Sequence, residues 1–462
     1  MQHIKFTKAF VSGTWQNDVL IAIDDAGTII SLNVDCDTEK LDNAQVIDGY
    51  ALPGMPNIHS HAFQRAMAGL AEYITSERDS FWTWRDVMYR FAQNLTPDHV
   101  YAIARQLYLE MLQAGYSSVT EFHYLHHATG GARYDDPSEM SLTLMRAAED
   151  VGIGLTLAPV LYMSSGFGGT PLSDGQARFG HEVDEYCDLL SVLHTKLDKT
   201  TDQRLAVSFH SLRAVPREAM QTVINHIENM DDEAPIHIHI AEQIKEVEDC
   251  FSHTGSRPVE WLLGEHDLSK KWCLVHATHL SDTEITNLAK SGAVAGLCPT
   301  TEANLGDGIF PLKPYLEQGG TIAIGSDSHV SISPIEELRL LEYGQRLTQQ
   351  SRNIVASAKQ PHSGAALYQE ALKGGALSSG SNTGEIAVGK QTDLIVLDPA
   401  SDILVATADK QLLDRFIFSG NQSSTRHVMI CGEWQVFDGI HAKANAIKSE
   451  FHAAMTHLSS LI

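Results

Sequence analysis

Two histidines two apart, His59 and His61, close a short apolar run, Leu52-Pro53-Gly54-Met55-Pro56-Asn57-Ile58. On a strand, residues i and i+2 face the same way, so both imidazoles would aim at one point. Neutral imidazole is the commonest metal ligand among side chains. Three later apolar runs end in groups of the same chemical kind. Ile236-His237-Ile238-His239-Ile240-Ala241-Glu242 carries two histidines and an acid. Leu274-Val275-His276 adds an imidazole, and Ile324-Gly325-Ser326-Asp327 a carboxylate. Three imidazoles and one carboxylate make a borderline-hard donor set that suits Zn²⁺ and also accepts Fe²⁺ or Mn²⁺. Such an ion lowers the pKa of a water in its open position from roughly 15.7 to about 7, which makes a nucleophile available at neutral pH. Glu242 lies three residues past His239, where it can move protons without binding metal. His276 is suited to hydrogen-bond the water or the developing oxyanion, and Asp327 to ligate the metal and accept the water's proton.

These groups need a scaffold that brings several strand ends together. From residue 51, strand-like runs alternate with stretches of helical period. The runs are 51–58, 117–122, 154–160, 204–209, 235–240, 273–277, 293–298 and 321–325. Thr96 before Pro97, and Ser281 three residues before Glu284, are helix-start signals. Eight such units predict a (β/α)₈ barrel over 51–380, a fold whose catalytic groups gather at the C-terminal ends of its strands. An open dinucleotide-binding sheet would show Gly-x-Gly-x-x-Gly after the first strand, and none follows residue 58. Residues 1–50 and 381–440 carry short β runs around glycine turns. They are expected to share one small β domain. Ile447, Phe451, Met455 and Leu458 stand at helical spacing within 441–462. That helix should cover apolar surface in its own subunit or in a neighbour's, the second case giving a homodimer.

Composition narrows the partners. The chain has 462 residues and a net charge of −25, which argues against nucleic acid and against an anionic membrane. No apolar run reaches membrane-spanning length, and the first residues lack the apolar core of a signal peptide. Six scattered cysteines without a Cys-x-x-Cys read as reduced thiols of a cytoplasmic protein. An acidic substrate would need a local cluster of arginines to override the overall charge.

His-x-His on strand one, His on strands five and six and Asp on strand eight together resemble the amidohydrolase superfamily, over almost the whole chain. Many two-metal members carry a bridging lysine at the end of strand four. Arg204-Leu205-Ala206-Val207-Ser208-Phe209-His210 has none. With His239-x-x-Glu242, the site resembles the one-metal deaminase branch. The resemblance implies one divalent ion, Zn²⁺ ahead of Fe²⁺, held by His59, His61, His239 and Asp327. It prefers His239 to the competing His237, because the acid follows by three. It gives the catalytic roles to Glu242, His276 and Asp327.

Longer stretches are more specific. His59-Ser60-His61-Ala62-Phe63-Gln64-Arg65, Phe81-Trp82-Thr83-Trp84-Arg85, Thr120-Glu121-Phe122-His123-Tyr124, His210-Ser211-Leu212-Arg213 and Cys298-Pro299-Thr300-Thr301-Glu302-Ala303-Asn304-Leu305-Gly306-Asp307-Gly308 resemble the formimidoylglutamate deiminase family. That resemblance implies substrate contacts at Gln64, Arg85, Tyr124, His210 and Arg213. It implies hydrolysis of N-formimino-L-glutamate to N-formyl-L-glutamate and ammonia. The chemistry of the substrate agrees, because it carries two carboxylates and arginine grips a carboxylate bidentately. A nucleobase deaminase such as a guanine deaminase is the rival enzyme, and its planar neutral substrate has no use for two such arginines. A barrel that has lost catalysis is the rival outside the enzymes, and it should lack ligands. His123, His126 and His127 are expected to be polar loop residues.

Overall fold

Gly54 divides what reads in the sequence as a single strand. In the computed structural model, which describes residues 1–36, 43–73, 81–197, 203–421 and 423–461, the run 51–58 belongs to two sheets. Gln45–Pro53 lies in a small sheet, and Met55–Ser60 opens a barrel. The Gly54 N–H donates to the Asp393 carbonyl at 2.9 Å. A Cβ at Gly54 would lie 2.4 Å from the Ser117 Cβ, so only glycine lets the chain step between the sheets here.

The barrel strands are β1 (Met55–Ser60), β2 (Tyr116–His123), β3 (Gly154–Leu161), β4 (Val207–Phe209), β5 (Ile236–Ile240), β6 (Trp272–His276), β7 (Val294–Leu297) and β8 (Thr321–Ile324). A short piece, Gln203–Leu205, leads into β4 and pairs with β3. Every neighbouring pair is parallel. Their residues are buried almost without exception, as strands covered on both faces must be. The last and first strands meet through a parallel bridge between Ser60 and Asp327. The Asp327 N–H donates to the His59 carbonyl at 2.9 Å, and the His61 N–H to the Asp327 carbonyl at 3.2 Å. The hydrogen bonds that shut the barrel therefore run through the residues that carry His59, His61 and Asp327.

Helices wrap the barrel where the helix-start signals fall. The Thr96 hydroxyl accepts the His99 N–H at the start of the helix Pro97–Ala114, which stops at the left-handed Gly115. Ser281 and Glu284 form a reciprocal cap on Asp282–Ser291. Both ends of the chain build a separate seven-stranded sheet. Its order is Glu433–Val436, Thr425–Ile430, Leu394–Leu397, Gln45–Pro53, Gln2–Val11, Thr14–Ile23 and Ile29–Asn33. Its core, centred on Ile4, Phe6, Val19, Ile21 and Val396, is separate from the main one. The strand Gln2–Val11 is masked in the sequence by lysines. One of them, Lys5, is buried and paired to Asp18 at 2.9 Å.

The C-terminal helix Ala444–Ser459 packs on Pro97–Ala114, with Ile447 and Leu458 buried and Phe451 and Met455 half-buried. Its apolar stripe is thus used within one subunit. Among the described residues, no helix is long and apolar enough to cross a membrane.

Candidate active site

The side chains of His59, His61 and His239 converge at the C-terminal mouth of the barrel, with ligand nitrogens within 4.8 Å of one another. His59 Nε2 is 2.9 Å from His239 Nε2 and 3.7 Å from Asp327 Oδ1. His61 Nε2 is 3.3 Å from the same carboxylate oxygen. In two of the three, the second ring nitrogen fixes the tautomer, while His59 Nδ1 has no partner among the described residues. His61 Nδ1 donates to the Phe122 carbonyl at 2.8 Å, and His239 Nδ1 to the His210 carbonyl at 3.0 Å. Each Nε2 therefore turns its lone pair to the common point, the arrangement found in metal-binding histidines. Burial and the crowd of neighbouring imidazoles push His59 and His239 well below the usual histidine range, and burial takes His61 down to about 3. Neutral imidazoles and one buried carboxylate fit a divalent ion. His237 is not in the cluster. It lies two residues earlier on β5 and bonds the Ser378 carbonyl at 2.8 Å.

Gly325 keeps this cluster together. A Cβ there would lie 2.8 Å from both the His59 backbone nitrogen and the His59 Cβ. Gly325→Ala must push β8 away from β1, at an overpacking cost of about 1–3 kcal/mol. The variant should show a lower urea midpoint and a reduced metal content by elemental analysis. Unchanged values in both would mean that the strands separate freely.

His276, Glu242 and Asp327 sit against one wall. His276 Nε2 is 3.8 Å from Glu242 Oε1 and 3.7 Å from Asp327 Oδ2. Its Nδ1 is 3.3 Å from Glu302 Oε1. Burial opposes a charge on His276, but Glu242, Glu302 and Asp327 outweigh it and lift the imidazole to about 10. Burial pushes Glu242 up to about 7, against the pull of His276. Asp327 rises to about 6, again mainly by burial. Ala241, His276, Ala277 and Asp327 all have positive φ, between 47° and 68°. Such backbone costs about 1–3 kcal/mol per residue and concentrates where side chains must be aimed. Glu246 holds one of these turns, accepting the Ala241 N–H at 3.2 Å and the Glu242 N–H at 3.0 Å.

Gln64, Arg85, Tyr124, His210 and Arg213 all line one pocket, shared with His61, His239, Glu242, His276 and Asp327. Each follows a strand end or sits on a strand-to-helix connection: Gln64 after β1, Arg85 on the helix Phe81–Ala92, Tyr124 after β2, His210 and Arg213 after β4. Gln64 Nε2 donates to the Tyr124 hydroxyl at 2.7 Å, while Gln64 Oε1 has no partner among the described residues. Arg213 Nη1 is likewise buried without a partner among them. Burial works against the charge of Arg213, but Tyr162, Tyr89 and Glu246 hold it charged. Arg85 lies over the Tyr89 ring, 5.4 Å from its centroid. Burial first, then Arg213 and His61, keep His210 neutral.

Sequence reasoning passed over Tyr89, Tyr162, Glu246, Glu302 and Asp307. Glu302 and Asp307 lie within the stretch 298–308 that carries the family resemblance, without a role attached to either, and the two tyrosines had a signal of their own. Tyr89 is four residues from Arg85 on one helix face, and Tyr162 directly follows β3. His123, His126 and His127 prove to be buried and are joined by His181, with the His126 and His181 rings 4.3 Å apart. His126 bonds the Val160 carbonyl at 3.0 Å and His127 the Gly180 carbonyl at 2.6 Å. Among the described residues they belong to no three-ligand cluster.

The profile of the amidohydrolase family matches residues 50–435. Formimidoylglutamate deiminase of Pseudomonas aeruginosa is 49% identical over 444 residues, covering 96% of this chain and 96% of that protein. The crystal structure of an amidohydrolase from Brucella melitensis superposes with a TM-score of 0.93 at 40% identity, over 99% of this chain and 100% of the other. A zinc-bound adenosine deaminase from Xanthomonas campestris reaches 0.82 at 19% identity, over 99% of this chain and 98% of the other, a likeness of fold alone.

Proposed function

Because the chain belongs to the amidohydrolase family, we infer that it hydrolyses N-formimino-L-glutamate to N-formyl-L-glutamate and ammonia. One observation carries the reading: Arg85 and Arg213 line the same pocket as the histidine cluster and Glu242. The substrate carries one carboxylate on the carbon that bears the formimino nitrogen and a second at the far end of the side chain, and the two arginines offer one guanidinium to each beside the histidine cluster. The identity to a protein named formimidoylglutamate deiminase supports the same substrate.

His59, His61, His239 and Asp327 would hold one divalent ion, with Zn²⁺ favoured over Fe²⁺ by the donor set. When bound, that ion supplies the Lewis acidity that lets water act as a nucleophile near neutral pH. The arginines grip the carboxylates, and Gln64, Tyr124 and His210 fix the orientation of the chain between them. Asp327 takes the proton of the attacking water, while His276, held protonated by its three carboxylate neighbours, donates a hydrogen bond to the developing oxyanion. Glu242 holds a proton near its ordinary working range at neutral pH and delivers it to the terminal nitrogen. Collapse of the water adduct then releases ammonia and leaves the formyl group on the amine nitrogen. Among the described residues the cysteines form no disulfide, which supports a reducing, cytoplasmic setting. The acidic chain is assigned a small dicarboxylate substrate, with neither nucleic acid nor membrane as partner.

The test is product analysis by NMR, with ammonia release from formimino-glutamate, formimino-aspartate, guanine and cytosine run in parallel. Formyl-glutamate and ammonia are expected from the first compound. Formamide and free glutamate would overturn the deiminase reading.

A further inference from the structure

Three overlapping three-ligand groups share the barrel mouth: His59, His61 and His239; His59, His276 and Asp327; and Glu242, His276 and Asp307. In the third, one ligand atom each from Glu242, His276 and Asp307 lies within 4.8 Å of the other two. The imidazole in it is already prepared as a ligand. Glu302 Oε1 sits 3.3 Å from His276 Nδ1 and also accepts the Cys298 N–H at 2.9 Å. A carboxylate on Nδ1 leaves Nε2 for a metal, the usual outer-sphere support of a metal-binding histidine. That Nε2 faces Glu242 Oε1 at 3.8 Å.

Asp307 supplies an independent sign. It is 6% exposed, and Gln243 Nε2 donates to its Oδ1. Its Oδ2 is buried and has no partner among the described residues. A buried carboxylate oxygen left without a donor is costly, and a cation shared with Glu242 and His276 would satisfy it. One imidazole and two carboxylates form a donor set that Zn²⁺ accepts.

We propose that Glu242, His276 and Asp307 form a second, weaker transition-metal site, and that excess Zn²⁺ bound there inhibits the enzyme. Inhibition rests on the roles given above to Glu242 and His276: once they ligate a metal, neither can carry a proton. Binding itself does not depend on that reading. Each ligand enters deprotonated, so occupation releases protons to solvent.

The enzyme carrying its first equivalent of metal is dialysed against buffers of rising free Zn²⁺, and zinc per chain and turnover are read from the same samples. The expected result is a second equivalent whose midpoint coincides with the loss of turnover. Asp307→Asn should raise both midpoints by at least about tenfold, with each rate compared to that variant's own rate before zinc is added, while the first equivalent stays bound. Glu302→Gln should weaken the second equivalent by about 10–100-fold, the usual effect of losing an outer-sphere partner. If Asp307→Asn turns over too slowly to follow, the zinc count alone decides. No second equivalent in the unmodified protein, or a second equivalent with an unchanged midpoint in Asp307→Asn, would overturn the proposal. Failure to process formimino-glutamate before any zinc is added would count against the proposed reaction instead.

Discussion

Glu242→Gln is expected to keep its metal and to lose about 10²–10⁴-fold in kcat, the range that a positioned acid–base group contributes. The substitution preserves the size of the side chain and removes only its ability to hold and release a proton. The residues that converge on the candidate ion site are on or just after β1, near the end of β5 and after β8, whereas the Glu242 carboxylate faces His276. The backbone of the turn is held from Glu246, so Glu242 can change chemically without releasing the loop. A proton held near neutral pH is what the step requires. Burial supplies it by pushing this carboxyl up to about 7 against the pull of His276. The measurement pairs kcat with elemental analysis on the same preparation. Near-normal kcat would remove Glu242 from the proton path. Loss of the metal would instead make it part of the ion's binding site.

The contrast between Glu242 and Glu246 shows what the sequence carries and what it does not. Glu242 was legible because it follows His239 by three in a barrel whose strand ends hold the chemistry. The period of a strand and the eightfold βα alternation reduce the search to a few residues per strand. His59, His61, His239 and Asp327 came from the same rule. Glu246 looks like any acidic residue in the first turn of an amphipathic helix. Its function is to accept two backbone N–H groups from a turn that exists only because Ala241 adopts φ 51°. Sequence periodicity does not encode that backbone choice. Asp307 was hidden for a related reason: its contacts with Gln243, Glu242 and His276 arise where separate loops meet. In the fold, the join at Gly54 was hidden because both halves of 51–58 are equally apolar. Only the close approach of Ser117 distinguishes them.

Arg213→Met should lower kcat/KM for formimino-glutamate by roughly 10- to 150-fold, and Arg85→Met likewise, with metal content unchanged in both. The magnitude follows from losing a hydrogen bond to a charged group, about 1.5–3 kcal/mol. The direction follows from the charge of the molecule. A chain at −25 repels a dicarboxylate at long range, so attraction has to come from groups inside the pocket. Arg213 is well placed for this, with a buried Nη1 that no described residue satisfies. Tyr89 and Tyr162 help keep it charged, and Tyr89 also lies beneath Arg85, so one ring serves both guanidinium groups. Methionine retains much of the apolar stem and removes the planar donor array, which separates loss of charge from loss of packing. A formimino compound without the α-carboxylate assigns the contacts. One of the two variants should process it nearly as the unmodified enzyme does, because the contact that variant lacks is unavailable to that compound. The other should remain impaired, because its carboxylate is still there to be gripped. Normal kinetics with formimino-glutamate in both variants would remove the arginines from substrate recognition and leave the substrate assignment resting on sequence identity alone.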